Sequence, residues 1–338
     1  MRMKTLSFAA ALAAALAWRA APAPRAQSAP LPAPTFHHLH LNSMNPNTAI
    51  DWYTKAFPAT SKTTWAGEPA LKSPNNVLIL FTKVDQPPAT QPQTAFWHFG
   101  WHVRQERVTM VRLREQGVTL LPLYTTEEGA TVNINSDTWP GTGGVLGLTK
   151  AQIAEARKNN VQPAGGPGFA YIRGPDDALI EVQGDMPAER FNHVHMYHEN
   201  PACSGLWYQK HLNAVRPQGR RGEPERPRTE ANCEEPRGTE KTWPALEVDG
   251  MYRAPSVAIA FGDVSMGGYM RQGDRPLVDT RGHVVDHVGL GVADLNAWFA
   301  KLRGESVKIL EPPHKIGESR AFMIEGPSKE AIEIIEVK

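Results

Sequence analysis

The sequence predicts an α+β fold of four repeated β-α-β-rich units, and three observations carry that prediction. Four short apolar runs of strand character start alike: FHHLHLNS at Phe36, FWHFGWHV at Phe96, FNHVHMYH at Phe191 and VDHVGLGV at Val285. A helical stretch follows each at matching distance: TAIDWYTKAF, RVTMVRLREQG, CSGLWYQKHL and DLNAWFAKLRG. Each unit then closes in β-rich sequence, as VLILFTKV, ALIEVQG, SVAIAFGDV and AIEIIEV.

The register of the repeat is fixed by histidine. Each opening run has one at its third position: His38, His98, His193 and His287. Fifteen residues on stand Tyr53, Leu113, Tyr208 and Leu302, in the helical stretches. Asp294 reads as the N-cap of the last helix.

The units alternate in kind. The first and third carry His-x-His (His38/His40, His193/His195), and the second and fourth carry His-x-Gly (His98/Gly100, His287/Gly289). The second and fourth also end alike, GPDDALIEV from Gly174 and GPSKEAIEI from Gly326, which aligns Glu181 with Glu333. The first and third have Leu80 and Ala260 at that place. The pattern reads as a two-unit domain duplicated, 35–184 and 190–338, with the boundary in GDMPAER at 184–190. Two insertions break the symmetry. One is a Gly-rich stretch between Leu123 and Gly168, with a helix expected in TKAQIAEARKNN. The other is a charged, Pro-rich surface loop within 216–250.

The N-terminus reads as separate from the fold. Arg2 and Lys4 precede an apolar run from Leu6 to Trp18 and then a small-residue, proline-rich stretch. This is the architecture of a secretory signal peptide over 1–26, cleaved between Ala17 and Ala29, with a Pro-rich linker at 27–34. The expected location is secreted or periplasmic. The run is too short for a comfortable membrane span, so no stable membrane insertion is expected. Removing 1–26 takes away four basic residues and no acidic ones, turning a formal charge of +1 into −3. Nothing in that balance suggests a nucleic-acid partner. The two cysteines, Cys203 and Cys233, are expected to pair in an oxidising compartment and to pin the 216–250 insertion.

These residues resemble the vicinal oxygen chelate superfamily, which includes glyoxalase I, extradiol dioxygenases and bleomycin-resistance proteins. The resemblance covers nearly all the chain after residue 35. It rests on HHLHLNS…AIDWYTKAF from His37, GPDDALIEV from Gly174 and DHVGLGVADL from Asp286. It implies βαβββ units paired into two glyoxalase-like domains, whose curved mixed sheets form metal or ligand cups. It implies metal ligands at His38, His98 and Glu181 in the first domain, and at His193, His287 and Glu333 in the second. The extradiol pattern places a tyrosine at Tyr171, without its usual upstream histidine. The second domain has Met323 there, with His314 nearby at longer spacing.

Two imidazoles and a carboxylate leave open positions on a divalent metal. Fe(II) is favoured, and zinc, manganese or nickel accept the same ligands. Residues i and i+2 of a strand share a face, so His40 and His195 point into the same cups as His38 and His193. They read as general bases, as outer partners or as ligands themselves. Trp97 and Trp101, of opposite parity to His98, are expected between sheet and helix, and Trp52 and Trp207 in the core. The expected function is a divalent-metal-dependent enzyme of dioxygenase, isomerase or lyase type acting on a small oxygen-rich molecule. The alternatives are a non-catalytic protein that sequesters a small ligand, and an interaction protein with inactive cups.

Overall fold

The computed structural model describes residues 30–121, 169–184, 186–216, 228–234, 256–271 and 276–337, together with short stretches of backbone between them. The N-terminal segment 1–29, most of the expected helix in TKAQIAEARKNN and most of the 216–250 insertion lie outside the described residues.

Each unit follows the expected β-α-β order. The first runs β1 (Thr35–Ser43), α1 (Pro46–Ala56), β2 (Ser61–Trp65), β3 (Glu68–Lys72) and β4 (Leu78–Lys83). The second runs β5 (Phe96–His102), α2 (Glu106–Glu115), β6 (Leu120–Leu121), β7 (Tyr124–Thr126), β8 (Val132–Asn135), β9 (Gly144–Leu148), β10 (Phe169–Arg173) and β11 (Leu179–Gln183). The third runs β12 (Arg190–His198), α3 (Pro201–Leu212), β13 (Met251–Tyr252), β14 (Ser256–Phe261) and β15 (Val264–Met270). The fourth runs β16 (Val285–Val292), α4 (Leu295–Gly304), β17 (Ile309–Ile316), β18 (Ser319–Glu325) and β19 (Ala331–Glu336).

The helices start where local chemistry dictates. Asn45 caps α1 by accepting from the Thr48 N–H, with Pro46 just inside. Asp294 caps α4 through the Ala297 N–H, as expected from sequence. α3 begins at Pro201 and stops at Asn213, which takes the left-handed conformation. The inner face of α4 buries Leu295, Trp298 and Leu302, at helical spacing.

The pairing of the units departs from the expected tandem arrangement. One sheet has the order β17-β18-β19-β16-β1-β4-β3-β2 and joins the first unit to the fourth. A second, β14-β15-β12-β5-β11-β10-β6, joins the second unit to the third. A small third sheet, β13-β7-β8-β9, is built from the insertions. The expected domain split at 184–190 therefore falls inside one sheet. The physical reason is connector length. Residues 184–189 form the shortest link and keep β11 and β12 in one sheet, whereas 84–95 and 271–284 carry the chain between sheets. Those two crossovers run side by side, with parallel bridges Ala89–His283 and Thr94–Val278.

One continuous apolar core joins the two large sheets. Phe57, just past α1, stacks on Trp101 of β5 at 4.3 Å, and Phe36 of β1 stacks on Phe191 of β12 at 5.6 Å. Trp101 thus sits between sheet and helix as expected, and Trp52 and Trp207 pack against the same core.

Candidate metal centres

The middle of each large sheet is an antiparallel pair of opening strands, one of each kind. In β1–β16, His38 faces Gly289 and His40 faces His287. In β12–β5, His193 faces Gly100 and His195 faces His98. The parallel strand beyond adds the carboxylate: Glu333 lies beside Gly289, and Glu181 beside Gly100. Register alone therefore brings two or three imidazoles and one carboxylate together on one face of each sheet.

The His-x-Gly pattern has a steric cause. A Cβ on Gly289 would lie 2.0 Å from Cε1 of His38, and one on Gly100 would lie 2.2 Å from Cε1 of His193. The His-x-His strand lays its first ring over the glycine of its partner, so one motif is the mould of the other.

The ligand sets differ from the sequence expectation in one respect. His38 does not meet His98 and Glu181, and His193 does not meet His287 and Glu333. The β1/β16 centre instead gathers His38, His40 and His287, with the ligand atoms within 4.8 Å of one another, and Glu333 Oε2 is 3.5 Å from His38 Nε2. The β5/β12 centre gathers His98, Glu181, His193 and His195 within the same limit. There Glu181 Oε2 is 2.9 Å from His98 Nε2 and 3.7 Å from both His193 Nε2 and His195 Nδ1. All six expected residues lie at the two sheet centres; the partners are exchanged because unit one pairs with unit four.

A smaller correction concerns the position matched to Leu80. Leu80 of β4 lies beside His40, whereas Gly267 of β15 lies beside His195. Ala260 is one strand further out, on β14. Neither residue beside the histidine offers a ligand atom.

The electrostatics suit cation binding. Burial pushes His38 well below its usual range, assisted by His37, His287 and His40. Burial lowers His98 to about 4 and His40 to about 3. These rings are neutral at neutral pH, with lone pairs to offer. Burial would raise Glu181, but His193 and His98 hold it well below the usual carboxylate range. Glu333 is raised by burial, against the pull of His287. Three buried ring nitrogens, His38 Nε2, His98 Nδ1 and His193 Nε2, have no hydrogen-bond partner. Two of them, His38 Nε2 and His193 Nε2, lie 3.5 Å from Glu333 and 3.7 Å from Glu181, an arrangement that fits a divalent metal with nitrogen and oxygen ligands.

The two centres have different walls. At β1/β16, Asp286 Oδ1 accepts from His287 Nδ1 at 2.7 Å, which turns the other ring nitrogen toward the centre. Asp286 is itself held by the Gly282 N–H, Asn42 and Arg281. His40 Nε2 bonds Thr82 Oγ1 at 2.7 Å and its ring stacks on His287. Trp65 lies against His37 and His38. At β5/β12 the wall is aromatic, formed by Trp97, Tyr171, Tyr197 and Tyr269. Tyr171 faces Glu181 across β10–β11, its ring 5.0 Å from His98, and Met323 faces Glu333 in the same way. His314 lies on β17, bonded to the Pro312 carbonyl. Trp97 corrects an expectation. A bulge between His98 and Phe96 breaks the alternation and leaves Trp97 beside the centre, stacked on Tyr197, rather than under a helix. Asp286 and Arg281 were not singled out from sequence; the Asp-His pair in DHVGLGV was the available signal for the first.

The paired β-α-β units have the fold seen in the vicinal oxygen chelate superfamily. Among solved structures, glyoxalase I from Zea mays matches with a TM-score of 0.57 at 13% identity, covering 90% of this chain and 92% of that one. A putative dioxygenase from Bacillus subtilis matches with a TM-score of 0.53 at 10% identity, covering 90% and 85%. No protein-family model and no curated protein sequence matches the chain. Among the described residues, no helix is long and apolar enough to cross a membrane.

Proposed function

We propose that this protein is a divalent-metal-dependent enzyme acting on a small oxygen-rich molecule, by dioxygenase, isomerase or lyase chemistry. One metal is held by His38, His287 and Glu333, and another by His98, His193 and Glu181. The observation that carries this reading is a buried imidazole nitrogen without a hydrogen-bond partner facing a buried carboxylate, His38 Nε2 toward Glu333 and His193 Nε2 toward Glu181, at the same register of two sheets. A passive cup has no use for buried polar atoms left unpaired. Fe(II) is the favoured ion, with zinc, manganese and nickel accepting the same donors. Such an ion supplies Lewis acidity toward a carbonyl or a deprotonated hydroxyl.

The chain's own groups do the rest. The walls keep bulk water from the reacting oxygens, and the aromatic rings at β5/β12 grip a flat ligand by stacking. His40, neutral and fixed on Thr82, holds or takes a proton at the β1/β16 centre. The Tyr171 hydroxyl serves the other centre. That aromatic wall also favours a second reading, a protein that sequesters a planar ligand without turning it over.

The test is metal analysis of purified protein with Glu181→Gln and Glu333→Gln made separately, followed by anaerobic reconstitution with Fe(II), Zn(II), Mn(II) and Ni(II). Each reconstituted form is assayed against catechols and 2-oxoaldehyde–thiol adducts. Each substitution should remove metal from its own centre and abolish its turnover. Tight ligand binding by metal-free protein, with no product under any metal, selects the sequestering reading.

Export belongs to the same proposal. It rests on the N-terminal pattern and on the Cys203–Cys233 disulfide, a bond suited to an oxidising compartment. N-terminal sequencing of protein from the native host decides it: a chain starting at Met1 in the cytoplasm would refute export.

A further inference from the structure

We infer that His195 is a fourth protein ligand at the β5/β12 centre, giving three imidazoles and one carboxylate there, whereas His40 at β1/β16 is no ligand. The inference rests on the metal reading above and assigns His195 a coordinating role in place of a general base.

Metal bonds of about 2.0–2.2 Å place the ligand atoms of a four-coordinate ion about 3.3–3.6 Å apart. His195 Nδ1 is 2.8 Å from His98 Nε2 and 3.7 Å from Glu181 Oε2. His193 Nε2 is 3.7 Å from the same oxygen. These edges bracket the required one, and the ligand atoms of all four residues lie within 4.8 Å of one another. At β1/β16 the mutually close atoms are those of His38, His40 and His287, but His40 Nε2 is engaged by Thr82 Oγ1 at 2.7 Å.

The cause lies one strand away. The parallel neighbour of His195 is Gly267, and a Cβ there would lie 2.6 Å from the His195 Cδ2. The ring occupies the space that a side chain at 267 would fill. The parallel neighbour of His40 is Leu80, which is packed with Ala70 and Leu78. Denied that space, His40 binds Thr82 two residues further along β4. At the position of Thr82, β15 has Tyr269, whose ring stands edge-on to His195 at 5.2 Å while Trp97 lies on another side at 6.3 Å. These aromatics flank the His195 ring on two sides.

A four-ligand centre binds its ion more tightly and leaves fewer positions open than a three-ligand one. The test is a Co(II) titration of the full chain, read by visible absorption and by bound equivalents, for wild type, His195→Ala, Gly267→Ala and His40→Ala. Gly267→Ala leaves every ligand in the chain and displaces only the His195 ring. The expected result is two Co(II) bound by wild type, with one site tighter. His195→Ala and Gly267→Ala should both shift the absorption of that tighter site. They should also weaken it by more than the roughly 10–100-fold that loss of an outer partner costs. His40→Ala should leave both absorption bands in place. Co(II) bound by His195→Ala with unchanged absorption and affinity would overturn the fourth ligand and leave the metal reading standing. No Co(II) bound by wild type would overturn both.

Discussion

His38 and Gly289 face each other across the central strand pair of one sheet, and the imidazole lies where an alanine at 289 would place its Cβ, 2.0 Å from Cε1. His193 and Gly100 repeat the relationship in the other sheet. Gly289→Ala should therefore expel the His38 ring and empty the β1/β16 centre, with a stability loss of about 1–3 kcal/mol from overpacking. Gly100→Ala should do the same at β5/β12, each leaving the other centre loaded. Metal equivalents and urea unfolding of the two variants check this. Full metal content in Gly289→Ala would show that the ring has room the geometry denies it.

Asp286 gives the β1/β16 centre an outer partner absent from its counterpart, where Trp97 precedes His98. Asp286→Ala frees the His287 ring, removes the acceptor of the Gly282 N–H and leaves the Asn42 amide with the His283 carbonyl alone. Metal affinity at β1/β16 should fall about 10–100-fold. Affinity at β5/β12 should stay as in wild type. A competition titration with a chelator of known affinity resolves the two sites. An equal loss at both would mean that Asp286 acts through general stability.

The repeat, the strand–helix order and the placement of six candidate residues at the sheet centres were legible because each rests on a short-range pattern: histidine in register, His-x-His against His-x-Gly, and the shared ending at Glu181 and Glu333. Which unit pairs with which was not. Either His-x-His strand fits either His-x-Gly strand equally well, so local complementarity leaves the choice open. Connector length makes it, and the short link at 184–189 was read as a boundary when it is a tie. Trp97 was misplaced for a different reason. Parity assumes an unbroken pleat, and the bulge beside it breaks the period of two. The position matched to Leu80 was misplaced because SVAIAFGDV spans β14 and only the first residue of β15, which carries Gly267.

The Cys203–Cys233 bond joins α3 to the segment 228–234, with Cα atoms 4.8 Å apart and a sequence separation of 30. Closing a loop of that length removes denatured-state entropy worth about 3 kcal/mol. Cys203→Ser with Cys233→Ser should lower unfolding free energy by about that amount and leave both metal centres loaded. Those centres lie on β-strands that the bond does not touch. The comparison is urea unfolding of the paired variant against wild type, in the absence of reductant. A change well under 1 kcal/mol would mean that the unfolded chain is already constrained there.

Away from both centres, Tyr208 of α3 donates to Glu330, the Ser328 N–H donates to the other carboxylate oxygen at 2.7 Å, and Ser328 Oγ meets His198 Nδ1 at 2.7 Å. Burial pushes Glu330 up to about 7 from a usual 4.5, against those hydrogen bonds. Its folded pKa is raised, so its contribution to stability is full below pH 4.5 and is lost as pH rises through about 7. Over that window the cost should reach about 3 kcal/mol. Burial holds His198 near 3, so its contribution runs the other way, present above its usual 6.5 and lost toward acid. Glu330→Gln keeps an acceptor for Ser328 and a partner for Tyr208 but cannot ionise, and it leaves His198 in place. The difference in unfolding free energy between variant and wild type therefore isolates Glu330. It should favour the variant increasingly between pH 4.5 and 7 and level off above. Urea unfolding at intervals across that window measures it. A difference that does not change with pH would place the titration of Glu330 outside the window and show that its hydrogen bonds outweigh its burial.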